Sequence, residues 1–272
     1  MAFPVQVQPG GAPVPEAVDV AARPPGCPPG LEYLIPLDHL ILKQEVELVE
    51  AFVGIETGNK YEVQNKLGQR LYYAKEDRCC EGCCLCCGRM GCCKTCVRCW
   101  GRQCCQDRST SLTITDNLGQ KVLWLDRPCR STSCFCPCCL QKMTVFDASG
   151  EPLGSVHQTW GCCRPGFNLR DSQGRKILSI SGPICTTSIC CRDVEFELLT
   201  ADGSKEVGRV AKKWSGIGKE VWTDADNFGI SFPQDLDVKA KATVLTAAFL
   251  IDLMFFEEAP ADKRPDMPGT VG

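Results

Sequence analysis

Histidine is scarce in this sequence, since the 272-residue chain holds only His39 and His157. The HExxH motif of zinc hydrolases, the G-x-S-x-G motif of serine hydrolases and the G-x-x-x-x-G-K-[ST] phosphate loop are all absent. Cys–His and Ser–His nucleophile pairs therefore have almost no candidate bases. These absences exclude the commonest hydrolase and ATPase classes, and we expect no chemistry on a covalent bond.

Strong net charge is also missing. A formal charge of -3 gives no overall attraction to nucleic acid or to an anionic membrane, so we expect no nucleic-acid binding. Residues 1–15 have neither a basic start nor an apolar run, which predicts synthesis and retention in the cytosol. Thiols stay reduced there, so the 23 cysteines predict free thiols, metal ligands or lipid attachment sites rather than a disulfide framework.

The two ends of the chain are poor in large apolar residues. Residues 1–30 are rich in Pro and Gly, and we predict a disordered arm there and a disordered tail over 259–272. A minimal PxxP motif, Pro25 to Pro28, either docks in an SH3-type groove of a signalling partner or is a spacer. The remaining residues, 31–258, are predicted to form one folded domain with a cysteine-rich insertion at 79–108.

A hairpin signature recurs after residue 45. Alternating apolar runs such as "YEVQNKLGQRLYY" and "LTITDNLGQKVLWL" surround a turn that starts with Asn, Asp or Thr and has Gly at its fourth place. Six hairpins imply twelve strands, and a sheet of that size closes into a barrel. The chain is therefore predicted to be mainly β. The predicted turns span residues 65–68, 116–119, 147–150, 171–174, 200–203 and 226–229.

A helix is predicted over about 237–258, where Gly and Pro are absent. It is apolar on nearly all sides from Ala242 to Phe256, so it must be surrounded either by lipid or by the barrel wall. The apolar stretch measures about 22 Å, shorter than the roughly 30 Å hydrocarbon core of a bilayer, and Asp252 within it would be costly in lipid. We therefore favour a helix inside the barrel.

Cysteine doublets are concentrated in two clusters. Residues 79–105 hold twelve cysteines, among which the CxxC pairs Cys80–Cys83 and Cys93–Cys96 have the spacing of a thiolate zinc site. Basic residues between them fit S-acylation equally well, so both interpretations stay open. In the second cluster, "CFCPCCLQK", we prefer acylation. Its four thiols are Cys134, Cys136, Cys138 and Cys139.

The stretch "TDADNFGISFPQDLD", residues 223–237, has the acidic spacing of a calcium loop. Asp224, Asp226 and Asp235 occupy places 1, 3 and 12, and Gly229 occupies place 6. The flanking residues are typical of strands rather than the helices of an EF-hand. A hairpin turn and a weak calcium site are both predicted here, and they are compatible.

Four blocks of the chain resemble the phospholipid scramblases: "CFCPCCLQK", "ISGPICTTSICC", "KKWSGIGKEVWTDADNFGISFPQDLDVKAKA" and "FLIDLMFFEE". The similarity runs in order from about residue 31 to residue 258, and the last two blocks are highly specific. It implies a Tubby-like twelve-stranded barrel around a C-terminal helix. It also implies palmitoylation within "CFCPCCLQK" and residence on the cytoplasmic face of the plasma membrane.

The resemblance also implies two further sites. A segment matching a nuclear-import sequence contains Arg209, Lys212 and Lys213, so the chain would enter the nucleus when it is not acylated. The second site is for calcium, and its few carboxylates predict weak affinity, with a dissociation constant above about 10⁻⁴ M. The implied calcium positions are Asp224, Asp226, Phe228, Ile230, Phe232 and Asp235.

Three functions follow as hypotheses. The first is calcium-responsive, ATP-independent movement of membrane phospholipids between leaflets, as the resemblance implies. The second is a lipid-anchored interaction protein that binds phosphoinositides, signalling proteins or nuclear partners without moving lipid itself. The third is a thiolate zinc-binding module within residues 79–105.

Overall fold

The computed structural model describes residues 24–45, 58–78, 109–128, 130, 140–161, 164–184, 194–213 and 227–256. These residues contain a short 3-10 helix, Glu32–Leu34, twelve strands and one long helix, α1, Val238–Phe255. The strands are β1 His39–Glu45, β2 Lys60–Gln64, β3 Arg70–Arg78, β4 Thr110–Thr115, β5 Lys121–Arg127, β6 Lys142–Asp147, β7 Pro152–Thr159, β8 Gly166–Asp171, β9 Lys176–Ser181, β10 Val194–Thr200, β11 Glu206–Lys213 and β12 Asn227–Ser231.

The twelve strands form one closed antiparallel barrel, as predicted. Each strand pairs with the next along the chain, and β12 closes the ring by pairing with β1. In that closing pair Ile41 lies opposite Gly229 and Leu42 opposite Phe228. Closure leaves no unpaired strand edge, which removes the usual route to edge-to-edge aggregation.

Five of the predicted hairpin turns are confirmed, at residues 65–68, 116–119, 147–150, 171–174 and 200–203. In the turn between β4 and β5, Oδ1 of Asp116 accepts hydrogen bonds from the backbone N–H of Leu118 at 2.9 Å and of Gln120 at 2.8 Å. Gly119 has φ 77°, a conformation that side chains rarely adopt. The Asx cap and the left-handed glycine together set the register of the hairpin.

The sixth predicted turn is wrong. Asn227, Phe228 and Gly229, which would lie within it, belong to strand β12, and Gly229 pairs with Ile41 on one side and Ala211 on the other. Alternation of buried Phe228 and Ile230 against the apolar interior extends this segment as a strand. The twelfth strand that completes the barrel is β1, which lies before the first hairpin.

Helix α1 lies inside the barrel, in agreement with the interior placement favoured from the sequence. Its residues from Ala240 to Leu253 are buried, and it packs against β6, β7 and β8. Asp237 caps its N-terminus, since Oδ2 accepts from the N–H of Lys239 at 3.0 Å and of Ala240 at 3.3 Å. Within the described segments, no helix combines the length and apolarity needed to cross a membrane.

Residues 24–30 differ from the disordered arm predicted for 1–30. The N–H of Cys27 donates to the Pro24 carbonyl at 3.1 Å, and the hydroxyl of Tyr72 donates to the Gly30 carbonyl at 2.7 Å. Gly26, inside the PxxP motif, has φ 86°, so the motif forms a turn instead of a polyproline helix. A β-carbon on Gly30 would meet Val122 at 2.7 Å, which shows how closely this segment packs on the barrel.

The barrel has two different ends. Antiparallel order places the five tight turns together at one end, which we call the turn end. Strand β12 ends there, and α1 begins there. The other six interstrand connections start and finish at the opposite end, which we call the connection end. The cysteine-bearing stretches between β3 and β4 and between β5 and β6 are two of these connections.

Candidate functional site

Five charged side chains are buried among the described residues, and three of them, those of Lys212, Lys241 and Asp252, connect the C-terminal helix to the rest of the barrel. Removing a charge from water is costly unless partners compensate it, so such groups mark structural or functional centres. Asp252 and Lys212 lie together towards the connection end, and Lys241 lies near the turn end.

The Asp252 carboxylate joins the helix to two strands of the wall. Oδ2 accepts a buried hydrogen bond from the Tyr61 hydroxyl of β2 at 2.8 Å. Oδ1 lies 3.7 Å from Nζ of Lys212 on β11. The Asp252 carboxylate thereby gains a charge-assisted hydrogen bond and a nearby opposite charge. These two interactions offset the free-energy cost of burying a carboxylate in an apolar helix.

Aromatic rings complete this Asp252 cluster. Nζ of Lys212 lies 5.1 Å from the ring centroid of Phe228 and 4.5 Å from that of Phe256. The two rings meet edge to face with centroids 5.3 Å apart. Cation–π attraction therefore adds to the ion pair and connects β12, β11 and the residue that follows α1.

Lys212 faces the interior because strand side chains alternate. Val210 of β11 is buried in the core, so Lys212, two places on, has the same orientation, while Arg209 points outwards. The guanidinium of Arg209 pairs with Glu195 at 3.2 Å and Glu206 at 2.9 Å.

The predicted nuclear-import segment is inaccessible at one of its basic residues. Arg209 and Lys213 belong to β11, and Lys212 is buried beside Asp252. A receptor cannot reach the Lys212 ammonium in this conformation. Import through these residues stays a prediction that requires β11 to open.

Lys241, in the first turns of α1, is held by backbone carbonyls. Its three N–H groups are shared among four carbonyl oxygens, with Nζ 2.7 Å from those of Leu37 and Gln234, 2.8 Å from that of Ile35 and 3.1 Å from that of Leu34. Burial lowers the pKa of this ammonium, and the carboxylates of Asp38 and Asp235 oppose the shift. The lysine thereby fastens residues 34–37 and the start of α1 to each other.

The predicted calcium residues divide into three groups. Asp224 and Asp226 lie outside the described residues. Phe228, Ile230 and Phe232 are buried, and the first two lie in extended strand β12. Asp235 is exposed and near Lys241. In the described part of the chain no group of three or more His, Cys, Asp or Glu side chains is placed to hold a metal ion, and calcium binding stays a prediction.

The predicted lipid and zinc positions also lie outside the described residues. Acylation and zinc binding at these thiols therefore stay predictions. Where the structure is described, the half-buried thiol of Cys27 donates to the Pro28 carbonyl oxygen at 3.5 Å. The positions concerned are Cys80, Cys83, Cys93, Cys96, Cys134, Cys136, Cys138 and Cys139.

Sequence reasoning did not identify Tyr61 or Lys241 as members of interior polar clusters. A signal for such clusters exists, because an isolated Asp252 and an isolated Lys241 in an apolar helix each require a partner. The identity of the partner depends on the registers of β2 and β11, which only the folded barrel supplies.

Comparison with known proteins places the whole architecture in one family. The family model described as Scramblase matches residues 19–258. Phospholipid scramblase 2 of Bos taurus is 46% identical over 262 residues, covering 94% of this chain and 82% of that protein. Phospholipid scramblase 1 of Homo sapiens is 45% identical over 247 residues, covering 90% and 71%. Phospholipid scramblase 4 of Homo sapiens is 33% identical over 268 residues, covering 96% and 75%.

Proposed function

Since the chain belongs to the scramblase family, we propose that it moves phospholipids between the two leaflets of a membrane. The observation that carries the proposal is the extent of the match, residues 19–258, which includes every strand of the barrel and α1. The similar proteins are named phospholipid scramblases, a name for lipid translocation and not for covalent chemistry. Transport without ATP fits the absence of a phosphate loop from the sequence.

The filled interior constrains how lipid moves. Among the described residues, side chains of α1 and of the barrel wall form one continuous core that leaves a headgroup no passage along the barrel axis. We propose that lipid moves along the outside of the folded domain, or after α1 leaves the barrel. In the second case the Asp252 cluster is the contact that must break, because it ties the C-terminal part of α1 to β2 and β11.

A calcium response has a physical route through β12. The predicted ligands Asp224 and Asp226 lie three residues and one residue before Asn227, where β12 begins. Phe228 is one residue further and packs against Phe256 and under the Lys212 ammonium. We propose that calcium at the two aspartates shifts the start of β12 and loosens these contacts on α1.

Membrane attachment is proposed at the connection end. The chain between β5 and β6, which contains Cys134, Cys136, Cys138 and Cys139, begins and ends there. Acylation of these thiols would hold the protein on the cytoplasmic face of the plasma membrane, since several acyl chains together give stable anchoring.

Reconstitution tests the proposed function directly. Purified protein is inserted into liposomes that carry a fluorescent phospholipid, and dithionite accessibility is measured with and without millimolar calcium. We expect calcium to expose the protected inner-leaflet pool, and Asp224→Ala with Asp226→Ala to abolish the response. Asp202→Ala, which removes an exposed carboxylate from a turn, is the matched control. An unchanged protected pool, with incorporated and folded wild-type protein, contradicts intrinsic scrambling.

A second candidate function is favoured by the filled interior: a lipid-anchored interaction protein that does not itself move lipid. Hydroxylamine first removes the acyl chains. Alkaline carbonate extraction then separates the two cases. Release from the membrane supports a peripheral anchor, whereas retention supports an inserted helix. Stoichiometric zinc in the purified protein would support a thiolate module at Cys80, Cys83, Cys93 and Cys96, and its absence would reject one.

A further inference from the structure

The outer face of β6, β7 and β8 carries a compact set of polar and basic side chains. Lys142 lies directly opposite His157, and His157 directly opposite Asn168. One step along, Ser155 lies directly opposite Arg170. Side chains directly opposite each other on neighbouring strands have β-carbons about 5 Å apart, so these five residues form one surface, which we call the His157 face.

Positive charge accumulates on the His157 face, and its basic side chains form no ion pair with a carboxylate among the described residues. The guanidinium of Arg170 donates to the Gly174 carbonyl at 2.7 Å, and that of nearby Arg130 donates to the Leu140 carbonyl at 3.2 Å. In the described part of the chain neither Arg130, Lys142 nor Arg170 has a carboxylate within ion-pair distance. Their charges therefore remain available to an external anion.

The imidazole of His157 reports this positive potential. Burial lowers its pKa to about 4, and Lys142, Arg170 and Arg130 add to the shift in that order. Nε2 of His157 lies 3.0 Å from the Ser155 hydroxyl. Asp126 on β5 is the carboxylate that acts on Lys142 across the surface, and burial raises its pKa. The groups that face His157 itself are thus cations and neutral donors.

These donors match a phosphoryl group. An ammonium, a guanidinium, a hydroxyl and an amide lie on one surface, and an anion placed among them would also favour a protonated imidazole as a further donor. Neutralising the clustered charge would relieve the repulsion that adds to burial in keeping His157 neutral.

The position of the face indicates the source of the phosphoryl group. Lys142 and His157 lie in the half of the barrel towards the connection end, and Lys142 is three residues after Cys139. Three residues span at most about 11 Å, so a membrane anchor at Cys139 would bring lipid headgroups to this face. This step, and only this step, rests on the proposed attachment to a membrane.

We propose that the His157 face binds the phosphoryl group of an anionic phospholipid headgroup. Binding orients the domain on the membrane surface by its β6–β8 side. The site is separate from the predicted calcium residues and from the Asp252 cluster, so it does not depend on whether the protein moves lipid between leaflets.

Vesicle sedimentation tests the binding with full-length protein that carries no acyl chains. We expect binding to phosphatidylcholine vesicles that contain phosphatidic acid and none to phosphatidylcholine alone. Lys142→Gln and Arg170→Gln should each weaken binding about fivefold, the effect of one basic residue near an anionic surface. Arg175→Gln removes the same charge from a residue paired with Asp171 at the turn end, and should weaken binding less than twofold. Equal losses in all three folded variants overturn the proposal.

Proton NMR titration supplies a second readout at the imidazole itself. The chain has only two histidines, and His39 on β1 is six strands from His157 in either direction around the barrel. With phosphatidic acid vesicles the pKa of His157 should rise by at least about one unit, and the His39 signal should keep its titration curve. An unmoved His157 curve in protein that sediments with the vesicles overturns the site.

Inorganic phosphate distinguishes the source of the ligand. At a matched phosphate concentration it should shift the His157 curve less than the vesicles do. An equal shift overturns assignment to a lipid headgroup. Neither assay measures lipid movement, so failure of the scrambling assay leaves both results interpretable.

Discussion

The hydroxyl of Tyr61 on β2 donates a 2.8 Å hydrogen bond to the carboxylate of Asp252, a residue 191 positions later in α1. Both groups are buried, and the Tyr61 ring also meets Phe249 of the helix edge to face, with centroids 5.2 Å apart. One residue of the wall thus contacts the helix through a polar and an apolar interaction.

Tyr61→Phe should lower the free energy of unfolding by about 1.5–3 kcal/mol, because a buried hydrogen bond to a charged group is lost while the ring remains. Urea denaturation measures this change. Tyr33→Phe is the control, since the Tyr33 hydroxyl makes no hydrogen bond within the described residues. A loss of the same size in both variants would show that the Tyr61 bond contributes nothing specific.

Asp252→Asn should destabilise the protein by about 3 kcal/mol, because the described carboxylate partner of the buried Lys212 ammonium disappears. Lys212→Met in the same chain should recover part of that loss. A double-mutant cycle by urea denaturation gives the coupling between the two residues. Additive effects would mean that the two side chains, although 3.7 Å apart, have no coupling free energy.

Gly154→Ala should destabilise the contact between β7 and α1 by about 1–3 kcal/mol, the usual effect of overpacking. A β-carbon at Gly154 would collide with the Thr243 hydroxyl and lie 2.7 Å from the Arg170 carbonyl oxygen. Thr243→Ala removes the first collision, so the double variant should lose less stability than the sum of the single variants. Thermal unfolding of the three proteins checks this, and strict additivity would contradict it.

Acid should weaken the fold through His157. Its pKa in the folded protein is about 4, below the ordinary 6.5, so the unfolded chain binds the extra proton first as pH falls. Stability from the neutral imidazole is present above pH 6.5 and is lost between 6.5 and about 4. Between about pH 7.5 and about pH 4.5, His157→Gln should therefore lose less stability in urea than the wild type. Equal losses would contradict the lowered pKa.

Lys241→Met should expose the start of the helix. Four backbone carbonyls, those of Leu34, Ile35, Leu37 and Gln234, lose the ammonium that satisfies them in the interior. We expect faster amide hydrogen exchange across residues 31–37, measured by mass spectrometry. Lys239→Met, an exposed position in the same helix, is the control and should leave exchange unchanged.

Local signals explain what the sequence predicts well. The five confirmed turns combine an Asx or Thr cap with a fourth-place glycine, and both features act within four residues. Residues 226–229 also have Asp at the first place and Gly at the fourth, but they do not form a turn. Burial of Phe228 and Ile230 in the barrel wall stabilises a strand there more than the turn residues stabilise a turn. Strand β1 is not joined to a neighbouring strand by a tight turn, so the hairpin signature does not predict it.

The partners of buried charges are much harder to predict. Asp252 alone shows that the helix needs a polar contact, but Tyr61 and Lys212 reach it only because β2 and β11 close into the ring with particular registers. Alternation from the apolar Val210 is the signal in the sequence that would place Lys212 in the interior. The His157 face likewise requires cross-strand pairing that no local pattern contains.

The division of the barrel into a turn end and a connection end also governs how the chain tolerates changes in length. Doubling a flexible connection adds only about 0.6 kcal/mol of closure entropy. A change of length within the connection between β3 and β4, or within that between β5 and β6, therefore leaves the pairing registers of these strands unaltered. The tight turns have no such freedom, since one added residue there moves a whole strand face from core to solvent. Insertions and deletions should therefore accumulate at the connection end of the barrel. A reporter tag should be inserted at the same end.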